Sequence, residues 1–463
     1  MGGGLAFIEG AGGSLTQCEI VSGRAGRGGG VYCQGAEPRF ELCRLVGNRA
    51  EGTAPDGLGG GAYVEAAEGD AVPSFVECTL QGNRASVDGG GAYLKLDGRW
   101  DSIEFAECTF IENFATARGG ALASAAPGSV HLAACDIRLN FAQEGGAISG
   151  SGGASIRAAD SDFVYNEAWL HGGGLHLQDA DATLVGSRFR ANSAGGAGSR
   201  TAHYGGVAAV FGGRLTMESC QCTANYADTH GGAVYSSGGY GLETLACLFE
   251  GNQVGTDGGA LFLAGGTQHS LHSTIFRLNE AGDDGGAIVV RDVTQLTASW
   301  CQFDRNSADD DGGAIYAYDR VTLGLRNSTF SLNRAPDGGA VNLNNQCAAT
   351  VDNSIFAFSE VGAAFHCPGG STAVLACCDV FGNAGGDWVG CLLGQDAGAG
   401  NISLDPLFCD KEQGDLSVGG ASHAPPRTTP SAGRSARRRS AAREGSRLSA
   451  ASPATARESR RRS

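Results

Sequence analysis

The sequence predicts an all-β fold: a single right-handed parallel β-helix solenoid of about fourteen coils, closed by a C-terminal cap and followed by a disordered tail. Three observations predict it. Asn225, Asn252, Asn279, Asn306 and Asn333 recur at a spacing of 27 residues. Each is followed by a Gly-Gly pair, as at Gly258-Gly259 and Gly285-Gly286, and Phe249, Phe276, Phe303 and Phe330 stand three residues before four of them. Within each unit apolar residues alternate with period two, as in Ala314-Ile315-Tyr316-Ala317-Tyr318, and no stretch sustains a helical period.

A unit of this length holds about three strands of 4 to 6 residues, too little to bury a face alone. Stacking the units as coils solves that, because equivalent residues then lie about 4.8 Å apart and pair as parallel strands. Such a stack of coils makes a rod roughly 65 Å long. The chain opens Met1-Gly2-Gly3-Gly4-Leu5-Ala6-Phe7, which matches the G-G-x-aliphatic part of the unit, so it is expected to begin in mid-coil with an upstream signal peptide and cap missing. A longer reading frame upstream of Met1 would support that expectation, and a stop codon just before Met1 would defeat it. Early copies at Asn48, Asn83, Asn113, Asn140, Asn166 and Asn192 are less evenly spaced, which places insertions in turns such as 194–203. After Asn333 the pattern weakens, and Val380-Phe381-Gly382-Asn383 is its last copy.

The repeats are thus assigned to residues 1–385, a cap-like segment to 386–418 and a tail to 419–463. A cap is expected because the open end of a parallel stack exposes unpaired N–H and C=O groups. The tail, rich in Arg, Ser, Ala and Pro, cannot bury a core and reads as disordered. A frameshift is a second reading: back-translated and read from the third base, Ala421 to Arg437 admits a Cys-bearing ending. The nucleotide sequence decides between them.

Gly is 77 of 463 residues, far above an average of about 7% and without a collagen period, as many tight turns require. Residues 1–420 carry 22 basic and 47 acidic side chains, a net of -25, whereas the tail carries 11 Arg against Glu444 and Glu458. An acidic body argues against a nucleic-acid partner, since a phosphate track needs basic charge along it. No apolar run is long enough for a transmembrane helix.

Three columns of residues carry the chemistry. Cys18, Cys43, Cys78, Cys108, Cys135, Ser161, Ser187, Cys220, Cys247, Thr274, Cys301, Ser328, Ser354 and Cys378 form a small-residue column, which packs inward rather than binding metal, because zinc sites use clustered Cys spacing. Cys391 and Cys409 stand apart from it and are the disulfide candidates. The asparagines are read as a structural ladder at a turn, with the αL conformation tolerated by Asn. The residue before Gly-Gly runs Glu144, His171, Tyr204, His230, Asp257, Asp284, Asp311, Asp337. Stacking would set Asp257, Asp284 and Asp311 in a carboxylate row able to hold Ca²⁺, with His171 and His230 extending it toward a ligand. The plainer alternative is a set of solvated turn residues capping backbone N–H groups.

At Gly258-Gly259-Ala260-Leu261 with Phe276-Arg277-Leu278-Asn279 the chain resembles the repeats of the chlamydial polymorphic outer membrane proteins. It is similar as well to bacterial secreted β-helix proteins of the pectate-lyase-like superfamily, whose domain ends Asn401-Ile402-Ser403-Leu404-Asp405-Pro406-Leu407-Phe408 resembles. The resemblance implies export, a secreted, outer-membrane or cell-surface location, and adhesion to carbohydrate or a host or cell-surface protein. It also admits a polysaccharide lyase or glycoside hydrolase acting on an acidic polysaccharide. The balance favours a non-catalytic protein with no catalytic residues and no cofactor other than Ca²⁺, because the carboxylates recur as a pattern rather than forming one unique site.

Overall fold

A computed structural model describes residues 2–196, 202–266, 268–292 and 294–418. The tail, with its disorder and frameshift readings, lies outside the described residues. The chain winds into a parallel β-solenoid of 14 turns, built from three 14-stranded parallel sheets and a fourth of 11 strands. One coil shows the plan: Ile288–Arg291 in sheet A, Gln295–Ser299 in sheet B, Gln302–Asp304 in sheet C and Ser307–Ala308 in sheet D. Each strand pairs in register with its equivalent one coil on, as Ile288 with Ile315 and Phe276 with Phe303. The sequence predicts about three strands per coil, and the fourth, in sheet D, is a two-residue strand in most coils, too short to leave a periodic signature.

Alternation decides which side chains enter the core. In sheet A, Leu261, Leu263, Ile288, Val290, Ile315 and Ala317 are fully buried inside the tube. In sheet C the phenylalanines stack down the axis, with centroid separations of 5.1, 5.0, 4.4 and 4.6 Å from Phe249 through Phe276, Phe303 and Phe330 to Phe356. That spacing follows the distance between coils.

The asparagines form the ladder but not by the αL conformation. The residue before each takes positive φ, as Leu278 (φ 56°), Arg305 (φ 51°) and Leu332 (φ 55°) do. This left-handed residue turns the chain so that the following Asn points inward, where Asn279, Asn306 and Asn333 are fully buried. Asn225 Nδ2 donates to Asn252 Oδ1, Asn252 to Asn279, Asn279 to Asn306 and Asn306 to Asn333, all at 2.9–3.0 Å. The small column sits behind a second left-handed residue and is a ladder too. Cys135 N donates to Ser161 Oγ at 3.1 Å, Ser161 N to Ser187 Oγ at 3.2 Å and Cys301 N to Ser328 Oγ at 3.2 Å. Cys, Ser and Thr interchange there because each is small and each bonds. Burial pushes the thiols of Cys135 and Cys301 in this column up, to about 11 and about 12, which disfavours the reactive thiolate.

Beyond Phe381 side-chain amides cover the last coil. Gln395 Oε1 accepts from Leu375 N at 2.9 Å and its Nε2 donates to Ala373 O at 2.9 Å, while Asn401 Oδ1 accepts from Cys378 N at 2.9 Å. A short hairpin, Phe408–Asp410 with Asp415–Val418, returns to sheet C, where Gln302 Nε2 donates to Gly414 O at 3.0 Å. The disulfide joins Cys391 to Cys367, not to Cys409, which is exposed and free. Cys367 directly follows the last strand of sheet A, and the turn at Gly390–Leu392 packs there, bringing the two Cα atoms to 5.9 Å. Cys367→Ser is expected to lower the stability of the last coil by about 3 kcal/mol, from loop-closure entropy. Urea melts with and without reductant check this: the native protein should lose stability on reduction and the variant should not.

Candidate functional site

Along one side of the solenoid two columns of outward residues run together. One is the residue before Gly-Gly; the other is the second residue of each sheet A strand. The Gly-Gly pair brings them close. Gly285 has φ 63°, and a Cβ on Gly286 would lie 2.2 Å from Gly313 O, so only glycine lets successive coils approach here. The preceding residue is thereby folded over the sheet, and His171 bridges to Tyr204, Tyr204 to His230, and His230 to Asp257.

The middle of this side is aromatic. His171 stacks on Tyr204 (4.7 Å, 8°), Tyr204 on His230 (5.4 Å, 10°) and on Tyr235 (4.2 Å, 10°), and His230 on Phe262 (4.4 Å, 8°). Burial pushes His171 down to about 4, with His203 adding to the shift, and holds His230 below its usual value even though Asp257 Oδ2 lies 3.5 Å from its Nδ1. Buried His176, beside them on sheet A, is pushed down to about 3. At neutral pH these rings are uncharged and stack like any aromatic pair.

Toward the C-terminal end the column turns acidic. Burial raises Asp284 to about 7, helped by Asp311, Asp283 and Asp257, and raises Asp311 to about 6, helped by Asp310 and Asp337. Asp284 lies in a cleft of about 160 Å³ with Asp257, Phe262, Arg291, Tyr316 and Tyr318. The row read from sequence as Asp257, Asp284 and Asp311 is divided in space. Oxygens of Asp257, Asp283 and Asp284 gather within 4.8 Å of one another, and Asp311 gathers instead with Asp337 and His366. His230 touches the first group through Asp257. His171 does not, because Tyr204 stands between.

His366 and Asn342 were missed in the sequence because they belong to the second column, pairing with each other in sheet A one residue after the aliphatic position. Their signal was register: Tyr316, Asn342 and His366 occupy equivalent places in the last three coils. A third aromatic run, Tyr32, Tyr63 and Tyr93, stacks at 5.3 and 5.5 Å near the other end. Among the described residues, no helix is long and apolar enough to cross a membrane.

No curated protein matches the chain. One family profile does: residues 301–318 match the Chlamydia polymorphic membrane protein repeat. That segment holds every landmark of the coil, from Cys301 of the small column through Phe303 and Asn306 to Asp311, Gly312-Gly313 and Ile315. Over those residues the chain is similar to the Chlamydia polymorphic membrane protein repeat, and the stacked coils repeat the same landmarks along the solenoid.

Proposed function

We propose that this protein is a non-catalytic binding protein of the cell surface or extracellular space, acting in adhesion by presenting one rigid side of its solenoid to a carbohydrate or a cell-surface protein. The observation that carries this reading is the partly exposed ring row His171, Tyr204, His230 and Tyr235, with buried Phe262 stacked beneath His230. Rings already stacked on one another lose little freedom on binding, and aromatic surface supplies contact energy to sugar faces and protein side chains alike. The similarity of residues 301–318 to a membrane-protein repeat supports the surface location.

The test is binding of labelled protein to intact cells and to a glycan array, with Tyr204→Ala/Tyr235→Ala as the variant. Binding is expected to fall about tenfold or more, equivalent to about 1.4 kcal/mol. Native-like binding by the variant would remove the ring row from the interface. A polysaccharide lyase or glycoside hydrolase remains the second reading, because Asp284 keeps a carboxyl near neutrality in a cleft beside other carboxylates. Release of new sugar ends by the native protein, abolished in Asp284→Asn, would replace the adhesion reading with that one.

A further inference from the structure

We propose that Asp311, Asp337 and His366, with Asn342 behind them, form a binding site for a divalent first-row transition cation that ties the last three coils together. One ligand atom from each of Asp311, Asp337 and His366 lies within 4.8 Å of the others, and His366 Nδ1 is 3.8 Å from Asp337 Oδ1. The three come from three successive coils, since Asp311 precedes Ile315–Tyr318, Asp337 precedes Val341–Asn344, and His366 ends the last sheet A strand. An ion held by all three therefore spans two coil boundaries.

A second observation comes from beneath the cluster. Asn342 is fully buried, and among the described residues its Oδ1 has no partner. The same amide faces the cluster, with Nδ2 2.7 Å from Asp311 Oδ1 and 3.3 Å from His366 Nδ1. A half-turn about χ2 would exchange Nδ2, which also donates to Asp337 O at 3.3 Å, for the orphaned Oδ1, and a cation at the three ligands would then satisfy that oxygen in place of the bonds given up. Two carboxylates, an imidazole nitrogen and an amide oxygen suit a borderline cation such as Mn²⁺, Co²⁺ or Zn²⁺ better than Ca²⁺, which takes oxygen ligands. Asp337 and His366 are partly exposed, so an ion can reach the site, and the disulfide at Cys367 fixes the residue next to His366. The other carboxylate group, Asp257, Asp283 and Asp284, has no such buried unpartnered group beside it among the described residues.

The test is titration of the full chain, stripped with chelator, with Co²⁺ alone, read by calorimetry and by the visible spectrum. The spectrum separates nitrogen and oxygen ligation from capture by the exposed thiols of Cys377 and Cys409. One equivalent is expected to bind with a nitrogen–oxygen spectrum and to raise the unfolding midpoint. His366→Gln and Asp337→Asn should each weaken binding about tenfold or more, and Asp257→Asn/Asp283→Asn should leave it unchanged. Thiolate-type spectra, equal binding in His366→Gln, or displacement by an equal concentration of Ca²⁺ would overturn the proposal.

Discussion

Asn279→Ala is expected to cost about 3–5 kcal/mol, among the largest losses open to any single substitution in the chain. The figure comes from counting what one amide satisfies. Asn279 Oδ1 accepts from Asn252 N at 3.1 Å and from Asn252 Nδ2 at 2.9 Å. Its Nδ2 donates to Phe249 O at 3.0 Å and to Asn306 Oδ1 at 2.9 Å. Alanine leaves several polar groups in adjoining coils buried without water or partner, each worth about 1–3 kcal/mol, and relaxation recovers only part of it. Asn279→Asp is the sharper probe, because it keeps the accepting oxygen and places a second oxygen against Phe249 O and Asn306 Oδ1. Urea denaturation followed by circular dichroism measures both. A cost under 1 kcal/mol for Asn279→Ala would mean that the ladder carries no net stability.

Asn279 also shows why the solenoid was legible in the sequence. One residue per coil in one role writes a column that spacing alone exposes, and the stacked phenylalanines and paired glycines do the same. What escaped has no compositional mark. The left-handed residue before each Asn varies in type, as Leu278, Tyr165, Glu112, Ala191 and Gly251 show, since its task is backbone geometry. Sheet D passed unseen because strands such as Glu280–Ala281 are shorter than any period. Cys391 was a clear disulfide candidate, but its partner depended on where the final strand ends, which only the folded coil fixes. In the acidic column, spacing gave the order of the aspartates but not their grouping. The two groups have different neighbours: Phe262 and Tyr316 line the cleft of Asp257 and Asp284, and Asn342 bonds to Asp311.

The ionisable side of the solenoid should make its two halves respond to acid in opposite directions. Unfolded histidine takes up a proton near pH 6.5, whereas folded His176 refuses it until about pH 3 because it is buried. Below pH 6.5 the unfolded state therefore binds more protons, and stability falls as pH drops. At pH 4.5 His176 alone accounts for a loss of about 3 kcal/mol, and His171, lowered to about 4 but partly exposed, adds a smaller share after screening. Asp284 and Asp311 carry the reverse sign. Their folded values of about 7 and about 6 lie above the unfolded 3.8, so the fold holds protons that the unfolded chain has released. The stability they add is complete below pH 3.8 and is lost as pH rises through 6 to 7; partial exposure reduces it to about 1 kcal/mol. Because coils contact mainly their neighbours, the two effects need not average over the chain. Hydrogen exchange on metal-free protein between pH 7.5 and 4.5, corrected for intrinsic rates, should show protection falling about a hundredfold at Leu175–Gln178 and rising at Ile288–Arg291 and Ile315–Tyr318. His176→Gln should abolish most of the first change and leave the second intact. Parallel change in both segments would mean that the solenoid opens as one cooperative unit, and that the charges along its side act only on the total.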